Sequence, residues 1–164
     1  MTIPPRRTVA GRLYEVKRRM YRGGRAGAVA RILNRLSAKL YAAGLLLPSH
    51  AVTLEVTGRH TGRPVRLPVA ITEYDGARYV VSMLGPDAHW VRNVRAAGGQ
   101  VALHRRGRTA ARLEEVPPAD RAPILRQYLA VAPGARPHFP VDRRAPLTAF
   151  EEIAGQYPVF RILI

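Results

Sequence analysis

The chain has 164 residues, enough for one domain with a substantial core. It contains no cysteine, which excludes disulfides, thiolate metal sites and thiol nucleophiles. Its 27 Lys and Arg against 11 Asp and Glu give a net charge of +16, a field that draws polyanions such as nucleic acid, anionic lipid or a polyanionic cofactor. The plainer reading, an arginine-rich composition with solvated faces, stands beside it.

The charge is concentrated at the start. Residues 1–43 hold 11 Lys and Arg and a single acid, Glu15, for a net +10. Val9, Leu13, Val16 and Met20 recur at helical spacing, so this stretch predicts a basic amphipathic helix that Gly23-Gly24 breaks. Val29, Ile32, Leu33, Leu36 and Leu40 predict a second helix, ending near Gly44 and Pro48. Two readings are open for the pair. They lie on an anionic membrane surface, or their apolar stripes pack on the rest of the fold or against a second copy. The longest apolar run, from Tyr41 to Pro48, is too short to span a bilayer. No signal-peptide core follows the basic N-terminus. The expected location is cytoplasmic, with attachment to the inner face of the membrane as an extension of the first reading. The sequence thus divides into a basic helical extension over 1–48 and a domain over 49–164.

From Ala51 the texture is that of strands. Val52, Leu54 and Val56 alternate, and after a glycine-rich turn Val65, Leu67, Val69 and Ile71 alternate again. Tyr74-Asp75-Gly76-Ala77 predicts a hairpin turn into Tyr79-Val80-Val81-Ser82-Met83. A helix is expected from near Asp87 to Ala97. Two strands flank Gly107, and a proline-opened helix runs from Pro117 through Leu129. Residues 133–146 hold four prolines and predict an irregular connection, a candidate lid. A short helix over 147–156 and a strand over 159–164 close the chain. About six short strands in meander order, with interrupting helices, predict a mainly β fold: a small antiparallel barrel decorated by helices. In-out alternation argues against a parallel nucleotide-binding sheet.

Two stretches carry chemistry. Thr57-Gly58-Arg59-His60-Thr61-Gly62-Arg63-Pro64-Val65-Arg66-Leu67-Pro68 is a tight basic turn between strands. It offers backbone N–H groups, a hydroxyl and guanidinium forks to an anion; a surface hairpin that is merely basic is the alternative. Ser82 to Ala96 runs from a strand end through Gly85-Pro86 into a helix. There Trp90 and Asn93 share a face, which suits a flat ring system bearing carbonyls or, equally, a core tryptophan beside a surface amide. The five histidines show no metal-ligand spacing, and no nucleophile elbow is present. The side chains offer little chemistry of their own, so a cofactor would have to bring it.

At these two stretches the chain resembles the deazaflavin-dependent nitroreductases, the coenzyme F-420-dependent quinone reductases. Thr57, Gly58, Arg59, Thr61, Gly62, Arg66 and Pro68 match the first motif, and Ser82, Trp90, Asn93 and Ala96 the second. Tyr157-Pro158-Val159-Phe160-Arg161 fits the family's ending. The resemblance implies a split β-barrel related to flavin-binding oxidases, and coenzyme F-420 as cofactor. It implies hydride transfer to a small electron-poor acceptor: a quinone, enone or nitroaromatic. Carried over residue by residue, His60, Thr61, Gly62 and Arg66 hold the coenzyme's phosphate region, and Leu67 and Pro68 line the adjoining backbone. Ser82, Met83, Trp90, Val91 and Asn93 cradle the deazaflavin and its side chain. His60 stands where the family has lysine, and the loop from Ser82 to Trp90 is shorter than the common form. Tyr128 and Tyr157 are the candidate proton donors on the substrate side. A homodimer is compatible with the family, and no specific nucleic acid is implied. Alternatives are a flavin mononucleotide-binding barrel reductase, a deazaflavin carrier without turnover and a basic nucleic-acid binder.

Overall fold

The computed structural model describes residues 50–164. The two basic helices expected over 1–48 lie outside the described residues. The strands are β1 (Ala51–Thr57), β2 (Pro64–Tyr74), β3 (Ala77–Val81), β4 (Gln100–His104), β5 (Arg108–Glu115) and β6 (Val159–Leu163). Between them lie the helices α1 (His89–Ala96), α2 (Ala122–Val131) and α3 (Leu147–Ile153). The strands close into one antiparallel barrel in the order β1-β2-β3-β6-β5-β4. This is the mainly β, helix-decorated barrel expected from the alternation.

The meander order requires correction. The hairpins β1–β2, β2–β3 and β4–β5 pair as expected, but β4 lies beside β1 and β6 fits between β3 and β5. After β3 the chain leaves the sheet through α1 and returns on the far edge of β1. After β5 it leaves again through α2 and α3, and β6 comes back to fill the gap. Closure gives every strand a neighbour on each side, although residues 64–70 of β2 pair only with β1.

Alternation decides what fills the barrel. Val52, Leu54 and Val56 of β1 point inward and meet Ile71, Val80, Val101, Leu103, Leu113, Phe160 and Ile162. One end is stoppered by α1, which buries Val91 and Val94 in the same cluster. Trp90 tilts against Phe160 with ring centroids 5.6 Å apart. A second apolar cluster lies outside the barrel, where α2 and α3 cover Tyr79 and Val81 of β3 and Val159 of β6. Strand β3 is therefore apolar on both faces, which is why Tyr79-Val80-Val81 runs without a polar break.

The connections follow local chemistry. Asp75 and Gly76 both take positive φ, 48° and 68°, the two-residue hairpin turn whose twist matches the flanking strands. Helix α1 starts at His89, two residues later than expected, because Gly85-Pro86-Asp87 still belongs to the turn. Residues 133–138 form a 3-10 helix inside the stretch expected to be irregular. A buried arginine ties the helical layer to the barrel. Arg121 donates to the carbonyls of Val116, Ala154 and Tyr157 and to the Glu115 carboxylate, which Arg95 of α1 also grips with two bonds of 2.8 and 2.9 Å. The Arg95 hydrogen bonds hold the Glu115 carboxyl below the usual carboxylate range, outweighing the opposite pull of its partial burial.

No described helix is long and apolar enough to cross a membrane.

The turn that leaves α1 tests how tightly the stopper is held. Gly98 and Gly99 both have positive φ, but a Cβ on Gly98 meets open space while one on Gly99 comes within 2.4 Å of the Leu113 carbonyl oxygen. Gly98→Ala is expected to cost about 1 kcal/mol from backbone strain alone. Gly99→Ala adds a clash with strand backbone and is expected to cost about 3 kcal/mol or more. Thermal melts of the two variants check the difference, and equal melting temperatures contradict this account.

Candidate functional site

The loop between β1 and β2 is built by its own backbone. The Gly58 amide donates to the Arg63 carbonyl at 2.8 Å, and the Gly62 amide donates to the Gly58 carbonyl at 2.8 Å. The Thr61 hydroxyl accepts from the Arg63 amide at 3.3 Å. A Cβ on Gly58 would lie 3.0 Å from that hydroxyl and 3.1 Å from the Arg63 carbonyl, so the loop closes tightly only over a glycine. Gly62 takes φ +65 with nothing within 4 Å of where a Cβ would be, so the loop is open on that side. These bonds use the amides of Gly58, Gly62 and Arg63. The amides of His60 and Thr61 have no partner among the described residues, and both residues are exposed.

The second motif holds the first in place. Asn93 of α1 is buried, and its Oδ1 accepts from the Arg59 guanidinium at 2.9 Å and from the Arg59 amide at 3.3 Å. The same guanidinium also reaches the His89 carbonyl at 3.5 Å. Asn93 thus anchors the loop on the helix that stoppers the barrel, and its carboxamide oxygen is occupied within the chain. The positive charge of Arg59 is likewise turned toward α1.

Ser82 closes the turn ahead of α1. Its buried hydroxyl donates to the Gly85 carbonyl at 2.7 Å, and its amide donates to the Pro158 carbonyl at 2.9 Å. From this turn Met83 packs against the outer cluster, while Leu84 and Trp90 pack against the inner one. Leu67 is partly buried beside the inner cluster, and Val91 is wholly inside it. Pro68 is half-buried and pairs with Thr53 on the outer face of the sheet.

Arg66 stands on that outer face, opposite Glu55 in the β1–β2 register. Its Nε donates to Glu55 Oε2 at 2.6 Å. Two further groups share the carboxylate: His104 Nε2 lies 3.1 Å from Oε2, and Arg108 Nε lies 3.4 Å from Oε1. Burial would raise the Glu55 carboxyl, but hydrogen bonds from Arg66 and Arg108 and the charges of Arg66 and His104 hold it below the usual range. The terminal guanidinium nitrogens of Arg66 bond to no described residue.

The two tyrosines lie in the outer helical cluster. Tyr128 is 4% exposed, 6.2 Å from the Phe139 ring, and burial pushes its hydroxyl far above the usual phenol range. Tyr157 stacks on Phe139 with centroids 4.0 Å apart and donates to the His138 carbonyl at 2.8 Å.

Three members of this arrangement escape the motif reading: the loop-to-helix role of Arg59, and the Glu55 and Arg108 that neighbour Arg66. One signal for Glu55 was available. Counted outward from the hairpin, Thr57 pairs with Pro64, which sets the only acid of β1 opposite the arginine of β2. Arg108 comes from a strand 53 residues further on, and nothing local announces it.

The loop offers two exposed amides without a described partner, and β2 carries an exposed guanidinium four residues after Gly62, groups of the kind that bind anions. Removing the Asn93 carboxamide tests the anchor. Asn93→Ala leaves the Arg59 guanidinium only its 3.5 Å contact to the His89 carbonyl and is expected to cost about 1–3 kcal/mol. Amide hydrogen exchange over residues 59–63 should accelerate in this variant, while exchange in β3 and β6 keeps pace only with the global stability. Unchanged loop exchange contradicts the anchoring role.

A family model described as F-420H(2)-dependent quinone reductase matches residues 29–150. No curated protein matches the chain. Among solved structures, one described as a domain-swapped dimer aligns with TM-score 0.51 and 18% identity, over 82% of this chain and 96% of that one. A protein of unknown function from Agrobacterium tumefaciens aligns with TM-score 0.51 and 14% identity, over 77% of this chain and 53% of that one. A structure described as an F-420-H2 dependent reductase aligns with TM-score 0.48 and 18% identity, over 71% of this chain and 96% of that one. The two structures at TM-score 0.51 speak for the fold alone at these identities. The family match spans both motifs and most of the barrel, and the chain accordingly belongs to the F-420H(2)-dependent quinone reductase family, an oxidoreductase whose cofactor is coenzyme F-420.

Proposed function

We propose that this reductase binds the coenzyme's phosphate region at the β1–β2 loop and Arg66, and that its acceptor is a quinone. Two observations support the binding site: the loop is open at Gly62, and on the strand that leaves it the terminal nitrogens of Arg66 bond to no described residue. The amides of His60 and Thr61 would orient an oxyanion, and the Arg66 fork would neutralise it. Leu67, Met83 and Trp90, partly buried at the edges of the two clusters, supply apolar surface for a flat ring and keep water from it. Ser82 Oγ and Asn93 Oδ1 act through the turn and the loop they fix, since both atoms are engaged within the chain.

When bound, the reduced deazaflavin supplies the hydride; the acceptor takes it together with one proton to reach the hydroquinone level. The protein's part is to hold the two rings in register and to order the proton source. Water fits that role better than either tyrosine. Tyr128 is enclosed with a strongly raised pKa, and the Tyr157 hydroxyl already donates to a backbone carbonyl.

Arg66→Ala is expected to weaken coenzyme binding by about 1.5–3 kcal/mol, the range for a hydrogen bond to a charged group. Arg66→Lys should also weaken it, because an ammonium cannot reproduce the planar fork. Titration followed by deazaflavin fluorescence, with flavin mononucleotide run in parallel, measures both. Equal affinity of wild type and Arg66→Ala removes the assignment, and tighter binding of flavin mononucleotide favours the flavin alternative.

A quinone acceptor that dissolves in lipid gains meaning if the protein visits the membrane. The net +10 of residues 1–43 supports reversible attachment to an anionic surface. Each basic residue near such a surface contributes about 1 kcal/mol, fading with salt. Full-length protein should co-sediment with anionic vesicles at low salt and be released at high salt, while a chain truncated to begin at Ser49 should not. Equal sedimentation of the two forms shows that the N-terminal segment is not the anchor.

A further inference from the structure

One acid stands in the middle of the proposed anion site. Glu55 is the only acidic residue of β1, and its side chain is 12% exposed. It faces outward on the barrel with Arg66 across one strand pair, and His104 and Arg108 reach it from the β4–β5 side. A carboxylate here would be expected to compete with an anionic ligand for these cations. The bonding pattern argues otherwise. Glu55 takes both arginines through Nε: Arg66 on Oε2 at 2.6 Å and Arg108 on Oε1 at 3.4 Å. Neither arginine spends its terminal nitrogens on a described residue, and their side chains are 59% and 63% exposed. The two guanidinium groups are therefore gripped from behind, with the two-nitrogen edge that suits phosphate or carboxylate left for a ligand.

We propose that Glu55 is a positioning residue of the coenzyme site, holding Arg66 and Arg108 side by side so that both present their terminal nitrogens to one anionic group. Arg108 thereby becomes the second cation of the site. The cluster keeps a net positive charge, two guanidinium groups against one carboxylate, so it still attracts an oxyanion. An arginine left alone on a strand surface samples many rotamers, and binding must then freeze them; a preset guanidinium avoids that cost. The inference rests on the reading of Arg66 as a coenzyme contact, and its test separates the two.

The test is steady-state kinetics of the full-length enzyme with a quinone, varying the reduced coenzyme. The variants are Glu55→Ala, Glu55→Gln, Arg66→Ala, Arg108→Ala and the double variant Glu55→Ala/Arg66→Ala, with thermal melts alongside. Glu55→Ala is expected to raise KM for the coenzyme about 5- to 10-fold, with kcat at saturation within about twofold of wild type. Glu55→Gln keeps the shape and one acceptor oxygen, so it should raise KM less and guards against a folding defect. Arg108→Ala should raise KM as well. In the Arg66→Ala background the Glu55 substitution should lose most of its effect, which a merely structural role would not produce. If Glu55→Ala and Glu55→Gln leave KM unchanged or lower it while Arg66→Ala raises it, Glu55 is a bystander or a competitor and the proposal falls. If Arg66→Ala itself leaves KM unchanged, the anion-site reading falls first and takes this inference with it.

Discussion

The hydrogen bonds from Arg59 to the buried Asn93 carboxamide are the interaction on which the site depends. They join two segments 34 residues apart in sequence, the β1–β2 loop and the helix that closes the barrel. A buried amide oxygen with no acceptor role would be costly, and a loop carrying this much positive charge would spread without an anchor. One contact answers both needs. It uses the backbone amide and the guanidinium of the same residue, so the loop's position and its orientation are set together. Helix α1 is itself held by Val91 and Val94 inside the barrel and by the Arg95–Glu115 pair at its far end. The loop inherits that rigidity.

Arginine does different work at each place it appears. Arg121 is 5% exposed and serves as a cross-brace, spending its donors on three backbone carbonyls and one carboxylate. Arg59 is a loop anchor. Arg66 and Arg108 are half-tethered, with Nε engaged and the other nitrogens bonded to no described residue. A lysine could replace none of these without loss, because each uses donors fixed in one plane. The composition is consistent with both open readings of the charge: part of it is structural, and part is held at the surface where an anion can reach it.

The two apolar clusters divide the labour. The inner one closes the barrel and seats α1; the outer one carries α2, α3 and the aromatic group Tyr128, Phe139 and Tyr157. The turn from Ser82 to Gly85 runs between them, with Met83 on one side and Leu84 on the other.

Alternation and turn chemistry are local, and they were legible in the residues. The six strands, the Asp75-Gly76 hairpin and the helices after Ser82, Pro117 and Pro146 follow from period, glycine and proline alone. Both stretches that resemble the family were also visible, because each is a contiguous run whose glycines and hydroxyls have local reasons. What the chain order could not show was which strands become neighbours across long connections: β6 between β3 and β5, and β4 beside β1. Barrel closure decides that, by pairing edges that are far apart in sequence. The same closure brought the Asn93 oxygen to Arg59 as the loop's anchor and placed Tyr128 inside the packing of α2. It also brought His104 and Arg108 to Glu55, across 49 and 53 residues. Spacing within a segment reports which side a residue faces; only the folded sheet reports what it faces.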